Sequence, residues 1–241
     1  MQTIPWGDRE IGERRWVRRS RCVLATFATA TVMGSVPIAM PIAIPAATAR
    51  AETTALVLGG TAQPTPSQWD MENALDGILA DCTLVPVTTP AQWWPLVGTV
   101  PWDESVAEGG QSLMDAIAAT DGPIIVFGYS QGAYIANQVA QQLSVAGDAP
   151  SRDELTFIVT ANIGRPGGLL TVLPNGWSIL GTTFTGGVQP ATPYDFIDVA
   201  YEYDGIARWP TYRGNVIADL NAVMGALYVH GAYSKVDLDD V

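Results

Sequence analysis

Ile124-Ile125-Val126-Phe127-Gly128-Tyr129-Ser130-Gln131-Gly132-Ala133-Tyr134-Ile135-Ala136 is the stretch that decides the fold of this chain. Four β-prone residues run into Gly-x-Ser-x-Gly, and a helical pattern begins immediately behind it. Strand, tight turn and helix in that order are the context of a nucleophile elbow. The turn lifts a serine Oγ above the C-terminal edge of a parallel sheet, and only glycine fits at its flanks. The N–H of the following residue, Gln131, then lies at a helix N-terminus, where the dipole favours a developing oxyanion.

Ser130 needs a base, and the chain contains one histidine, His230. It follows the serine by 100 residues and sits just past a helical pattern. This matches the order Ser…Asp/Glu…His expected with this elbow. The acid then falls between them, among Asp148, Asp153, Asp195, Asp198, Asp204, Asp219 and the glutamates. Asp204, followed by Gly205, ends a predicted strand over Phe196–Tyr203 and so stands at the sheet edge that presents Ser130. Asp198 lies within that strand and Asp219 inside a predicted helix. The second oxyanion donor is expected from the turn after the first strand, at Gly60 or Thr61.

Outward from the elbow, the chain alternates strand and helix patterns. Ala55–Leu58, Thr83–Val87, Ile124–Phe127, Leu155–Val159 and Phe196–Tyr203 read as strands. A capped helix starts at Ser67, with Trp69, Ala74, Leu75, Ile78 and Leu79 as its apolar stripe. A second starts at Asp103 or Ser105, with Val106, Leu113, Ile117 and Ala118 facing inward. Others cover Gln131–Leu143 and Asn215–Ala226. This alternation predicts an α/β fold, a mostly parallel sheet with helices on both faces. Residues 164–195 break the rhythm with Gly, Pro and Thr around Leu169, Leu170, Leu173, Trp177, Ile179, Leu180 and Phe184. Long excursions of this kind are usually functional. The expected role is a lid or wall of an acyl-binding cleft, with Trp177, Leu180 and Phe184 touching substrate; the alternative is a packed excursion that meets no substrate.

Composition narrows the function class. The chain has 241 residues and is 48% hydrophobic, enough for one sizeable core. From residue 50 onward six basic residues face twenty-one acidic ones, a formal charge of −15. Such a surface repels nucleic acid and carries no basic stripe. Residues 1–49 read as an export signal. Arg14, Arg15, Arg18, Arg19 and Arg21 precede an apolar run from Cys22 to Ala43, and Ala47-Thr48-Ala49 offers a cleavage site. A retained membrane anchor is the alternative, against which Pro37, Pro41 and Pro45 weigh. Residues 50–241 are then one domain, secreted or held in the cell envelope. Cleavage would leave Cys82 alone as a buried, inert thiol. No Cys/His cluster suggests a metal, and no cofactor is expected.

Specific motifs add a resemblance. They comprise Leu58-Gly59-Gly60-Thr61 with Pro64-Thr65-Pro66, Val87-Thr88-Thr89-Pro90 with Trp94-Pro95-Leu96, and Gly128-Tyr129-Ser130-Gln131. Arg165-Pro166-Gly167-Gly168, Thr192-Pro193-Tyr194, Tyr203-Asp204-Gly205-Ile206-Ala207, Trp209-Pro210 and Tyr228-Val229-His230-Gly231-Ala232-Tyr233 follow. Across residues 55–233 the chain resembles the PE-PPE domain family, cutinase-like serine hydrolases of mycolic-acid-bearing bacteria. The resemblance implies a three-layer α/β-hydrolase fold with Ser130, Asp204 and His230 matching the family's proposed triad. No stretch resembles a PE or PPE module, so the expectation is a stand-alone member. Family activities imply a serine esterase or lipase on fatty acyl esters. An acyltransferase between trehalose-type glycolipids is the first alternative, and a non-catalytic lipid-binding envelope protein the second. The expected partner is a lipid or acyl-ester substrate, with membrane or envelope association and no nucleic acid.

Overall fold

A computed structural model of the chain describes residues 52–147, 149–186, 192–212 and 214–236. The expected export signal, its cleavage site and Asp148 lie outside the described residues. Five parallel strands form the central sheet in the order β2-β1-β3-β4-β7. They are β1 (Thr54–Leu58), β2 (Thr83–Pro86), β3 (Ile124–Tyr129), β4 (Leu155–Thr160) and β7 (Asp195–Val199). A small antiparallel hairpin, β5 (Ser178–Ile179) and β6 (Thr182–Thr183), stands apart from the sheet. The helices are α1 (Gln68–Glu72), α2 (Trp102–Ala118), α3 (Gln131–Leu143) and α4 (Val216–Tyr228).

The two-residue period of the strands divides the core into two layers. Leu56, Leu58, Val126, Leu155, Phe157 and Val159 face α2 and α3, packing on Leu113, Ile117, Ile135 and Val139. Ala55, Val57, Ile125, Phe127 and Ile158 face the other way, onto Met71, Leu75, Leu79 and Tyr233. Both faces of β1, β3 and β4 are therefore covered, which accounts for their continuous apolar runs. Each fully buried Leu or Phe in these layers contributes about 1.5–3 kcal/mol of transfer free energy. This three-layer architecture with an elbow between β3 and α3 is that of an α/β-hydrolase.

Several expected elements are shorter than the sequence pattern suggested. The Ser67 cap forms with Asp70 as a reciprocal capping box, but α1 ends at Glu72. Asn73 donates its side-chain amide to the Trp69 carbonyl, and Leu75 and Asp76 adopt positive φ of 45° and 53°. That side-chain bond competes with the helical ladder. Ala74, Leu75 and Leu79 still bury, whereas Trp69 is exposed. Ala118, expected to face inward on α2, is exposed; the buried face is carried by Ser105, Gly109, Leu113 and Ile117. β7 stops at Val199 because the ladder with β4 ends at Thr160 and the Tyr201 N–H donates to the Tyr233 hydroxyl at 3.0 Å. Tyr203 consequently points to solvent. Cys82 is buried, as expected. Among the described residues no helix is long and apolar enough to cross a membrane.

Candidate active site

Ser130 occupies the turn between β3 and α3 with φ 55° and ψ −112°, a conformation that a non-glycine residue holds only when its surroundings enforce it. Its N–H donates to the Thr160 carbonyl at 3.0 Å, and the Gly132 N–H to the Gly59 carbonyl at 3.1 Å, pinning the elbow to both neighbouring strands. The flanking glycines are required by space. A Cβ on Gly128 would lie 2.5 Å from the Gly132 carbonyl oxygen, and one on Gly132 would lie 2.6 Å from that of Gly59.

Three residues far apart in sequence converge at this turn. The Ser130 Oγ lies 2.8 Å from His230 Nε2, and His230 Nδ1 lies 2.9 and 3.0 Å from the two oxygens of Asp204. Asp204 is fully buried and also accepts from the Tyr233 hydroxyl at 2.7 Å and the Ile206 N–H at 2.9 Å. Burial opposes its charge, but the hydrogen bond and charge of His230, then the bonds from Tyr233 and Ile206, hold its carboxyl below the ordinary range. An ionised carboxylate only accepts, so His230 Nδ1 carries the proton and Nε2 is left to accept from the serine hydroxyl. Asp204 sits in a turn five residues beyond β7, not at the strand end. Two of the positions weighed against it reach other partners. Asp195 pairs with Arg152 at the surface, and Asp198 with Arg165 and Asn162.

Two tyrosines that the sequence reading did not assign frame the site. Tyr233 couples Asp204 to the Tyr201 N–H, and burial, followed by the Asp204 charge, raises its pKa strongly. Tyr129 donates its hydroxyl to the His230 carbonyl at 2.9 Å, and burial, followed by the Asp204 charge, pushes it up to about 12. Both therefore stay protonated donors at neutral pH. Their only sequence signals were position, one beside Ser130 and the other three residues after His230.

The turn after β1 abuts the nucleophile. A Cβ on Gly60 would lie 2.9 Å from the Tyr129 ring and 3.1 Å from the Ser130 Cβ. The Gly60 N–H donates to Gln63 Oε1 at 3.3 Å. The Thr61 N–H and the Gln131 N–H, the latter at the first position of α3, have no acceptor among the described residues. Gln63 also donates to Asp70 Oδ2 at 2.8 Å, tying this turn to the α1 capping box.

The 164–195 excursion is anchored on α2. The Asp103 carboxylate accepts from the Thr183 N–H and hydroxyl at 2.9 and 2.7 Å, and the Asp103 N–H donates to the Gly181 carbonyl. Trp93 Nε1 adds a bond to Thr182 at 2.9 Å. Two residues along α2, the Ser105 hydroxyl lies 3.4 Å from Gln131 Oε1, so hairpin and elbow share a helix end. Trp177 and Leu180 are exposed on this hairpin, while Phe184 is half-buried and donates its N–H to the Trp177 carbonyl. Among the described residues no group of three or more His, Cys, Asp or Glu is placed to hold a metal ion.

Comparison with known proteins agrees with this geometry at family level. Residues 80–240 match the PE-PPE domain. Esterase PE16 of Mycobacterium tuberculosis is 38% identical over 193 residues, covering 75% of this chain and 36% of that protein. SL1278 acyltransferase Chp1 of the same organism is 34% identical over 157 residues, covering 63% and 38%. The chain thus spans little more than a third of the length of these relatives. Among solved structures, a cutinase-like protein from Cryptococcus sp. aligns over 78% of this chain and 98% of its own, with 18% identity and a TM-score of 0.45. Alignments that loose carry no functional information. The family match covers about two thirds of the chain and includes all three residues that meet at the elbow, so the chain belongs to the PE-PPE domain family.

Proposed function

We propose that this protein is a serine esterase or lipase that cleaves fatty acyl esters through an acyl-Ser130 intermediate. The observation that carries the reading is the unbroken hydrogen-bond chain from Ser130 through His230 to Asp204, at 2.8 and 2.9 Å. His230 Nε2 removes the serine proton as Oγ attacks the ester carbonyl, and the Asp204 carboxylate stabilises the imidazolium that forms. The carbonyl oxygen becomes an oxyanion, for which the Gln131 and Thr61 N–H groups are the donors. Collapse of the tetrahedral intermediate breaks the ester bond, and His230 passes its proton to the departing alcohol. Water then attacks the acyl-enzyme by the same steps and releases the acid. Trp177, Leu180 and Phe184 form the wall against which the acyl chain lies. The basic and apolar leader within residues 1–49 supports export to the envelope or beyond. The test is turnover of p-nitrophenyl esters: Ser130→Ala should abolish it, and full activity in that variant would sink the reading.

A second reading replaces water with a sugar hydroxyl, giving an acyltransferase between trehalose-type glycolipids. It is favoured by the likeness to Chp1, which is named as an acyltransferase. Incubation with an acylated trehalose separates the two. Free fatty acid alone supports hydrolysis, whereas a more highly acylated sugar supports transfer. A lipid-binding protein without catalysis is the reading left if folded protein neither turns over esters nor takes a label on Ser130.

A further inference from the structure

α4 is built inside out. Its buried positions are Ala222 and Gly225, while Val216, Ile217, Leu220, Val223, Leu227 and Tyr228 are 46–82% exposed. Those six recur at helical spacing and form one continuous apolar stripe. The small residues are needed inside because the helix backbone rests directly on the turn that carries Asp204. A Cβ on Gly225 would collide with the Tyr203 carbonyl, and one on Gly205 with the Ala222 carbonyl. At the C-terminal end, the Val229 and His230 N–H groups both donate to the Gly225 carbonyl, at 2.8 and 3.1 Å. The helix that bears the apolar stripe therefore packs, through its inner face and C-terminal end, on the segments that carry Asp204 and His230.

Exposed apolar surface of this extent marks an interaction site. We infer that the outer face of α4 docks on an uncharged or zwitterionic lipid surface and presents the Ser130 site to esters held there, an inference that rests on the proposed hydrolase reading. The chemistry of the face selects this occupant. α4 bears no Lys, Arg or Glu, and its one acid, Asp219, is half-buried. The face thus offers no charged group to pair with a protein or an anionic headgroup, and the chain itself has a net charge of −12. Tyr203, Tyr212 and Tyr228 expose aromatic rings with polar tips on and beside the helix, the side-chain type that settles at headgroup level. A helix with one apolar face lying in the plane of the interface satisfies both features.

The experiment compares the full chain with its I217E/L220E/L227E variant, which leaves residues 1–49 and every residue at the elbow unchanged. Three quantities are measured: partition onto phosphatidylcholine vesicles, turnover of p-nitrophenyl acetate in solution, and turnover of a long-chain p-nitrophenyl ester dissolved in the vesicles. The inference predicts at least a tenfold loss of partition and of vesicle-ester turnover, with soluble turnover kept within twofold. Equal partition and equal vesicle-ester turnover would overturn it. So would a wild-type dimer that becomes monomeric in the variant, which assigns the face to a second copy of the chain. If the charged variant does not fold, as read by circular dichroism, I217S/L227S replaces it with the same expected direction. Wild-type protein that partitions but turns over no ester contradicts the hydrolase reading and leaves the docking result standing.

Discussion

Replacing Tyr233 by phenylalanine tests whether the acid of the site is held by its surroundings or merely sits near the histidine. The substitution removes one hydroxyl from a buried ring without changing its packing on Tyr129 and Tyr201. Two bonds disappear: the 2.7 Å donation to Asp204 Oδ2 and the 3.0 Å acceptance from the Tyr201 N–H. A bond to a charged group is worth about 1.5–3 kcal/mol, and a buried N–H left unpaired costs about 1–3 kcal/mol. Allowing for relaxation, the variant should be about 2–4 kcal/mol less stable, or about 5–15 °C lower in Tm for a domain of this size. Asp204 keeps its bonds from His230 and Ile206, so turnover should fall about tenfold and not vanish.

The pH dependence has a definite sign. The folded-state pKa of Asp204 lies below its ordinary 3.8, so its stabilisation is fully present above the unfolded value and is lost as pH falls through the folded one. Removing the Tyr233 bond raises the folded value, and acid unfolding of Tyr233→Phe should begin at higher pH than in the wild type. Urea titrations between pH 2 and 5, with kcat/KM for a soluble ester at pH 7, measure both effects. Unchanged stability and an unchanged acid transition would refute the argument that Tyr233 fixes the carboxylate.

Further expectations concern neighbouring positions. Asp204→Asn should lower kcat about 10⁴-fold by fixing the wrong histidine tautomer, while Asp198→Asn, directed at Arg165 and Asn162, should leave ester turnover within a few-fold. The reverse ranking in a p-nitrophenyl ester assay would reassign the acid. Gly60→Ala places a methyl 2.9 Å from the Tyr129 ring and 3.1 Å from the Ser130 Cβ. Kinetics should show at least a tenfold loss of kcat/KM, and wild-type values would contradict the clearance argument. Asp103→Asn weakens two bonds that hold the 178–183 hairpin. Rates profiled across acyl lengths should change for long chains more than for acetate; a uniform change would remove the hairpin from the substrate path.

The elbow and the alternation of strands with helices were legible because their signals are local. Gly-x-Ser-x-Gly between an apolar run and a helical pattern fixes one backbone geometry, and α3 runs over Gln131–Leu143 as its periodicity indicates. Apart from the family resemblance, Asp204 could be picked out among competing aspartates by its place near a predicted strand end. That strand ends earlier, and Asp204 is held instead by a turn packed on α4. The roles of Tyr233, Tyr129 and Asp103 were not legible because they depend on contacts across 29, 101 and 80 residues. The helix after Ser67 was overread since its stripe continues after Asn73 has ended the ladder. The outward apolar face of α4 ran against the default that such residues face inward.

The central claim is that Ser130 is a nucleophile activated by His230. Intact-mass analysis after exposure to a fluorophosphonate probe tests it directly. The account predicts one adduct per chain, located on the peptide containing Ser130, lost in Ser130→Ala and slowed by orders of magnitude in His230→Ala. Folded wild-type protein that stays unlabelled, or an adduct that persists in Ser130→Ala, would contradict it.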